Sequence, residues 1–202
     1  KYTVRSIAGF FEKGFKRNYI YELIETDTSL PDYNWMSDYT KKREASFGLV
    51  RTNGERKPAF HALKSLIKLL RTDSAFPERN LPANLNYGIA HAPLPLPVGS
   101  PMTPVKKVLL QRNNGNFLLV IWNDSTSTYS LGADGKYSPV RAKDVVVPSV
   151  QATLAIADKV KNITKYTYDA SFNLKPEVLN TSGTYSFPVT DNLTIFEINT
   201  RK

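Results

Sequence analysis

Three carboxylates, Glu22, Glu25 and Asp27, sit in and just after the apolar run Tyr19-Ile20-Tyr21-Glu22-Leu23-Ile24. An acid in the middle of such a run is costly to bury unless it is paired or works on something bound. Glu22 therefore has two readings: a structural acid held by Arg17 or a backbone amide, or a ligand contact. A long loop follows, carrying Tyr33, Trp35, Met36 and Tyr39. Large side chains of this kind either pack as a plug or stack on a ligand, and the residues alone leave both open. Other chemistries are poorly supplied. There is no cysteine, hence no disulfide framework, thiolate nucleophile or thiolate-bound zinc. The two histidines, His61 and His91, lie far apart with no ligand at metal spacing, so neither a metal nor another cofactor is expected.

These side chains need elements to hold them. The continuous apolar character of residues 18–25 predicts a strand buried on both faces, as in a parallel sheet, and not the in–out alternation of a half-wet one. Before it, Val4, Ile7, Ala8 and Phe11 repeat at helical spacing, and Gly14 stands where a left-handed helix end is wanted. After it, Pro31, Asp32, Asn34 and Ser37 mark residues 26–44 as a loop. Phe47-Gly48-Leu49-Val50 reads as a short extended piece and Thr52-Asn53-Gly54-Glu55 as a turn. Pro58 then opens a second helix with an apolar stripe of Ala59, Leu63, Leu66, Ile67 and Leu70, ending near Thr72 and Asp73.

Composition bounds the partners. The chain has 202 residues, 41% hydrophobic and 11% aromatic, ordinary for one or two globular domains. Its net charge of +9 is spread evenly: residues 1–76 carry 14 basic and 9 acidic side chains, and residues 77–202 carry 13 and 9. The one tight basic cluster, Lys41-Lys42-Arg43, is followed at once by Glu44. A nucleic-acid footprint concentrates charge on one face, so no nucleic-acid partner is expected. No apolar run approaches a membrane span, and no membrane partner is expected either. Lys1-Tyr2-Thr3-Val4-Arg5 does not open a signal peptide, and without an initiator methionine the chain reads as a processed product or a piece of something longer.

Gly14-Phe15-Lys16-Arg17-Asn18-Tyr19-Ile20-Tyr21-Glu22-Leu23, followed by Phe47-Gly48-Leu49-Val50, Asn53-Gly54 and Lys57-Pro58-Ala59-Phe60, resembles the closing stretch of clan A glycoside hydrolases, nearest to the family 39-like (β/α)8 enzymes. The resemblance implies that residues 1–76 are the seventh helix, eighth strand and eighth helix of such a barrel. It also implies that the acid/base and nucleophile glutamates, carried after the fourth and seventh strands, lie upstream of Lys1, so no residue here is assigned a catalytic role. Retaining hydrolysis needs two carboxylates about 5 Å apart. What it does carry over is a sugar-binding wall at the strand exit, made of Tyr21, Glu22, Glu25 and Asp27 with Tyr33 and Trp35 from the loop. The implied partners are an oligo- or polysaccharide and the missing N-terminal barrel portion or another chain. The resemblance favours a secreted or periplasmic location.

Residues 77–104 contain Pro77, Pro82, Pro93, Pro95, Pro97, Pro101 and Pro104, too many for a helix or a central strand, although residues 85–91 alternate like a strand. From Val105 the period becomes two. Residues 107–111 and 117–122 flank Asn114-Gly115 as a hairpin, and further strands are expected at 126–131, 144–147, 151–156, 161–168, 184–189 and 193–198. Residues 77–202 are thus an antiparallel β-sandwich, and the fold class is α+β in two parts, a helix–strand–helix barrel remnant and a sandwich. The sandwich with Ile121-Trp122-Asn123 on its second hairpin also suits the family resemblance. Trp122 and Tyr168 could present flat faces to a sugar, but Trp122 closes a core run and is read as buried. Asn123, Asn162, Asn180 and Asn192 each begin a glycosylation-type triplet, as chance supplies in a chain rich in Asn, Ser and Thr.

Three functions compete: the C-terminal piece of a glycoside hydrolase, inactive by itself; a carbohydrate-binding module; or a structural β-sandwich protein. The first segment discriminates. Two helices around one parallel strand cannot close a barrel, so that strand needs neighbours, which a free binding module does not.

Overall fold

The computed structural model describes residues 2–15, 17–37, 47–71, 84–91, 105–112, 114–124, 148–179 and 184–200. Among the described residues two α-helices and eight strands give an α+β chain with two compact units, one of Lys1–Arg71 with Tyr168–Leu174, the other of Thr72–Thr167 with Lys175–Lys202. Tyr39, the Lys41–Arg43 cluster, Thr72, Asp73 and the expected strands at 126–131 and 144–147 lie outside the described residues.

In the first unit α1 (Tyr2–Glu12) packs on α2 (Pro58–Leu70) through Val4 and Ala8 on one helix and Ala62 and Leu66 on the other, with Leu49 buried as well. Gly14, at φ +82°, ends α1 as its sequence predicts. Its N–H donates to the Phe11 carbonyl (2.9 Å) and the Phe15 N–H to that of Phe10 (3.0 Å). The Phe10 and Phe15 rings meet edge to face at 5.5 Å, which completes the double hydrogen bond and apolar contact of a left-handed helix stop. Pro58 opens α2 at its first turn, and the helix stops at Leu70 with the Arg71 N–H bonded to the Ile67 carbonyl. The buried stripe is centred on Ala62 and Leu66, whereas Ile67, expected inside, is exposed.

The expected buried strand at 18–25 is not one. Among the described residues only its end is paired: Ile24 and Val50 form a single parallel bridge, and Val50 bridges Arg56 antiparallel on its other side. Tyr19, Tyr21, Leu23 and Ile24 are 87%, 66%, 60% and 56% exposed. A stretch this apolar is buried only when strands or helices flank it, and no described element covers it.

The second unit holds two antiparallel sheets, so the sandwich-like reading of its strands stands. The strands are β1 (Tyr87–His91), β2 (Val105–Gln111), β3 (Phe117–Asn123), β4 (Val150–Ile156), β5 (Val160–Tyr168), β6 (Leu174–Leu179), β7 (Thr184–Val189) and β8 (Thr194–Thr200). One sheet runs β1-β4-β7, the other β2-β3-β8-β5-β6. The core between them takes Phe117, Leu119 and Ile121 from β3, Phe196 and Ile198 from β8, Leu154 from β4 and Phe187 from β7. Phe187 and Phe196 join the two sheets edge to face, ring centroids 4.8 Å apart. Period-two alternation holds along β4 but fails along β3, all of whose residues are buried. Leu118, Val120 and Trp122 on its other face are as inaccessible as its core face, which is why Phe117-Leu118-Leu119-Val120-Ile121-Trp122 is apolar without a break. β6 went unforeseen because Pro176 demotes the segment; an edge strand tolerates it.

Candidate functional site

The exit of residues 22–27 is fixed from the backbone outward. Glu22 accepts at its carbonyl from the Leu49 N–H (3.1 Å), Leu23 accepts from Val50 (2.9 Å), and the Glu25 N–H donates to the Val50 carbonyl (2.8 Å). Gly48 lets the two segments approach. A Cβ there would lie 2.2 Å from the Glu25 nitrogen and 2.7 Å from its Cα, so no other residue fits without moving backbone. The Lys57 N–H donates to the Leu49 carbonyl (3.0 Å), which ties the start of α2 to the same point.

Each carboxylate then finds a partner close by. Glu22, half-buried, accepts at Oε1 from the Thr26 N–H (3.1 Å) and hydroxyl (2.8 Å), the latter also 3.1 Å from Oε2. The Thr26 N–H is the backbone-amide partner that the structural reading of Glu22 calls for. Glu25 is paired through Oε1 with Lys57 Nζ, both side chains largely buried. Asp27 is exposed, and its Oδ1 accepts from the Ser29 hydroxyl (2.6 Å) and N–H (3.1 Å). Those two hydrogen bonds, the hydroxyl first, hold its carboxyl below the usual carboxylate range.

The loop beyond is a chain of tight turns. The Tyr33 N–H donates to Leu30, Asn34 to Pro31 and Met36 to Tyr33, each at 3.0 Å, around the 3-10 turn Pro31–Tyr33. Tyr33 is half-buried there and Trp35 is 77% exposed. Tyr21 meets Phe47 edge to face, centroids 6.1 Å apart. Tyr21 and Trp35 thus offer open aromatic surface, while Glu22 and Glu25 are engaged in holding the exit together. Among the described residues no group of three or more His, Asp or Glu could hold a metal ion.

Sequence reading missed Thr26, Gly48, Phe47 and Lys57 in these roles. The Phe-Gly pair ahead of Leu49-Val50 was the available signal, since a glycine inside an extended piece marks close backbone approach. No family model and no curated protein matches this chain.

In the second unit Trp122 is 2% exposed, with its indole N–H donated to Asp124 Oδ1 (3.2 Å), so it is a core residue and not a platform. Asn123 is likewise fully buried, its N–H on the Thr190 carbonyl, whereas Asn162 and Asn192 are exposed and Asn180 lies outside the described residues. Half-buried Glu197 collects Arg112 Nη1 (2.8 Å) and Asn116 Nδ2 (3.1 Å) on Oε1 and the Tyr166 hydroxyl (2.9 Å) on Oε2. Burial, then the hydrogen bond to Glu197 and its charge, push the Tyr166 phenol up to about 12, with Arg112 opposing. Tyr168, in the first unit, donates its hydroxyl to the Ala62 carbonyl (3.2 Å); burial raises its pKa, and its hydroxyl is already spent.

Proposed function

We propose that this chain is the C-terminal part of a clan A glycoside hydrolase, contributing the last barrel strand, one wall of the sugar cleft and an accessory β-sandwich. The observation that carries the reading is the parallel pairing of residues 22–25 with 49–50, on one side only among the described residues, next to exposed apolar side chains. In a parallel pair, Leu23 C=O and Glu25 N–H face Val50, so the N–H and C=O of Ile24 face the opposite edge. A segment with an open edge and apolar side chains is completed by another strand. The missing barrel portion, or another chain, supplies it. Tyr21, Tyr33 and Trp35 are the stacking surfaces, with Asp27 beside them for hydroxyl contacts. Glu22 and Glu25 support the wall from behind, and the paired catalytic glutamates belong to the rest of the barrel.

Hydrolysis assays of the chain on aryl β-glycosides and β-linked oligosaccharides test this. No turnover is expected. Robust turnover abolished by Glu22→Gln would place a catalytic carboxylate in this chain and overturn the reading. The main rival, a sandwich that itself binds glycan, is disfavoured by the burial of Trp122.

A further inference from the structure

The wall proposed above contains a side chain that neither its exposure nor its spacing singled out. We infer that Phe47 is a positioning residue for Tyr21, and that the two rings together form one stacking subsite for a pyranose. The inference rests on the carbohydrate reading for its ligand but not for its geometry. Both rings are accessible, Tyr21 at 66% and Phe47 at 41%, yet they stand 6.1 Å apart at 72°, the edge-to-face arrangement that aromatic quadrupoles favour.

The backbone beneath each ring is tied to the other's neighbours. Glu22, next to Tyr21, accepts from the Leu49 N–H, and Gly48, next to Phe47, lies against the backbone of Ile24 and Glu25. These contacts hold the two Cα atoms near each other while the bridge is closed, so the ring of Phe47 limits the swing of the Tyr21 side chain and most of the Tyr21 surface stays open. An exposed tyrosine without such a neighbour samples several rotamers and loses side-chain entropy on stacking. A pre-set one does not. The apolar C–H face of a pyranose is the ligand that suits a fixed aromatic surface whose hydroxyl remains in water.

The test is carbon-detected or proton–carbon NMR on the full chain with ring-labelled tyrosine, Tyr21 being assigned from Tyr21→Phe. Wild type, Phe47→Leu and Phe47→Tyr are compared, each alone and titrated separately with xylohexaose, cellohexaose, mannohexaose and laminarihexaose. Phe47→Leu is expected to shift the Tyr21 ring signals and average its rotamers without sugar. It is also expected to weaken whichever hexaose perturbs Tyr21 by about three- to tenfold, the worth of one aromatic pair. Phe47→Tyr, which keeps a ring edge, retains both properties and guards against a loss of folding in the leucine variant. An unchanged Tyr21 rotamer distribution in Phe47→Leu, or unchanged sugar affinity, overturns the positioning role. If the rotamers do change but no hexaose perturbs Tyr21, the positioning role stands and the carbohydrate reading fails.

Discussion

Among the described glycines of the first unit, Gly48 alone has no room for a side chain. The atoms a Cβ would strike belong to the Ile24 and Glu25 backbone, not to a movable side chain. Gly48→Ala must therefore separate the two segments and lengthen the hydrogen bonds of Leu49 and Val50. A loss of roughly 1–3 kcal/mol is expected, the usual cost of overpacking, read as a lower denaturation midpoint for the first unit. Tyr166 gives a second residue-scale test. Its folded pKa lies above the ordinary tyrosine value, so its neutral form is favoured by folding. That contribution is complete below pH 10 and is lost as pH rises from about 10 through about 12. Tyr166→Phe should flatten the alkaline limb of a stability–pH profile, and an unchanged limb would show that folding does not raise the Tyr166 pKa.

At the scale of elements, three turns share one hydrogen-bond scheme. The Arg51 N–H bonds Glu55, the Arg112 N–H bonds Asn116 and the Asp169 N–H bonds Asn173, while Gly54, Gly115 and Phe172 donate back to the first residue of their own turns. All three of these residues have positive φ, +85°, +89° and +61°. No heavy atom lies within 4 Å of where a Cβ would stand on Gly115, so Gly115→Ala isolates the backbone cost. About 1 kcal/mol of destabilisation is expected by equilibrium unfolding, since alanine gains no clash and meets only the left-handed penalty. Asn-Gly made the first two turns legible in the sequence. The third was not, because a phenylalanine occupies the position that glycine usually marks. Helix ends were legible for the same local reason, Gly14 and Pro58 being residues whose backbone chemistry fixes their place. The buried strand at 18–25 was misread because a period says only that side chains are apolar. Whether anything covers them depends on residues elsewhere. The carboxylate roles were hidden likewise: nothing in the spacing of Glu25 and Lys57 foretells their pairing.

Taken as a whole, the molecule distributes its apolar surface unevenly. Among the described residues, every exposed large hydrophobic side chain except Val178 belongs to Lys1–Arg71 or to the Tyr168–Leu174 turn. The second unit, by contrast, closes a core of its own between two sheets. Amide hydrogen exchange should follow this division. Tyr21, Leu23 and Ile24 are expected to exchange orders of magnitude faster than Leu119, Ile121 and Phe196, because one bridge opens locally and a doubly covered ladder opens only with the unit. Comparable protection in both places would show that the open edge is occupied in solution.

The double burial of β3 carries a liability during synthesis. Phe117-Leu118-Leu119-Val120-Ile121-Trp122 has no charge, proline or glycine, the composition of segments that stack into cross-β fibrils when left unpaired. Its two ladder partners carry the safeguards it lacks, Lys106 and Lys107 on β2 and Glu197 on β8. β2 is made before it, and β8 follows all the other described strands, so a nascent chain holds this hexapeptide half-sheltered until β8 emerges. Any substitution that removes the two lysines would be felt first as insoluble product and only later, if at all, as a lower melting temperature.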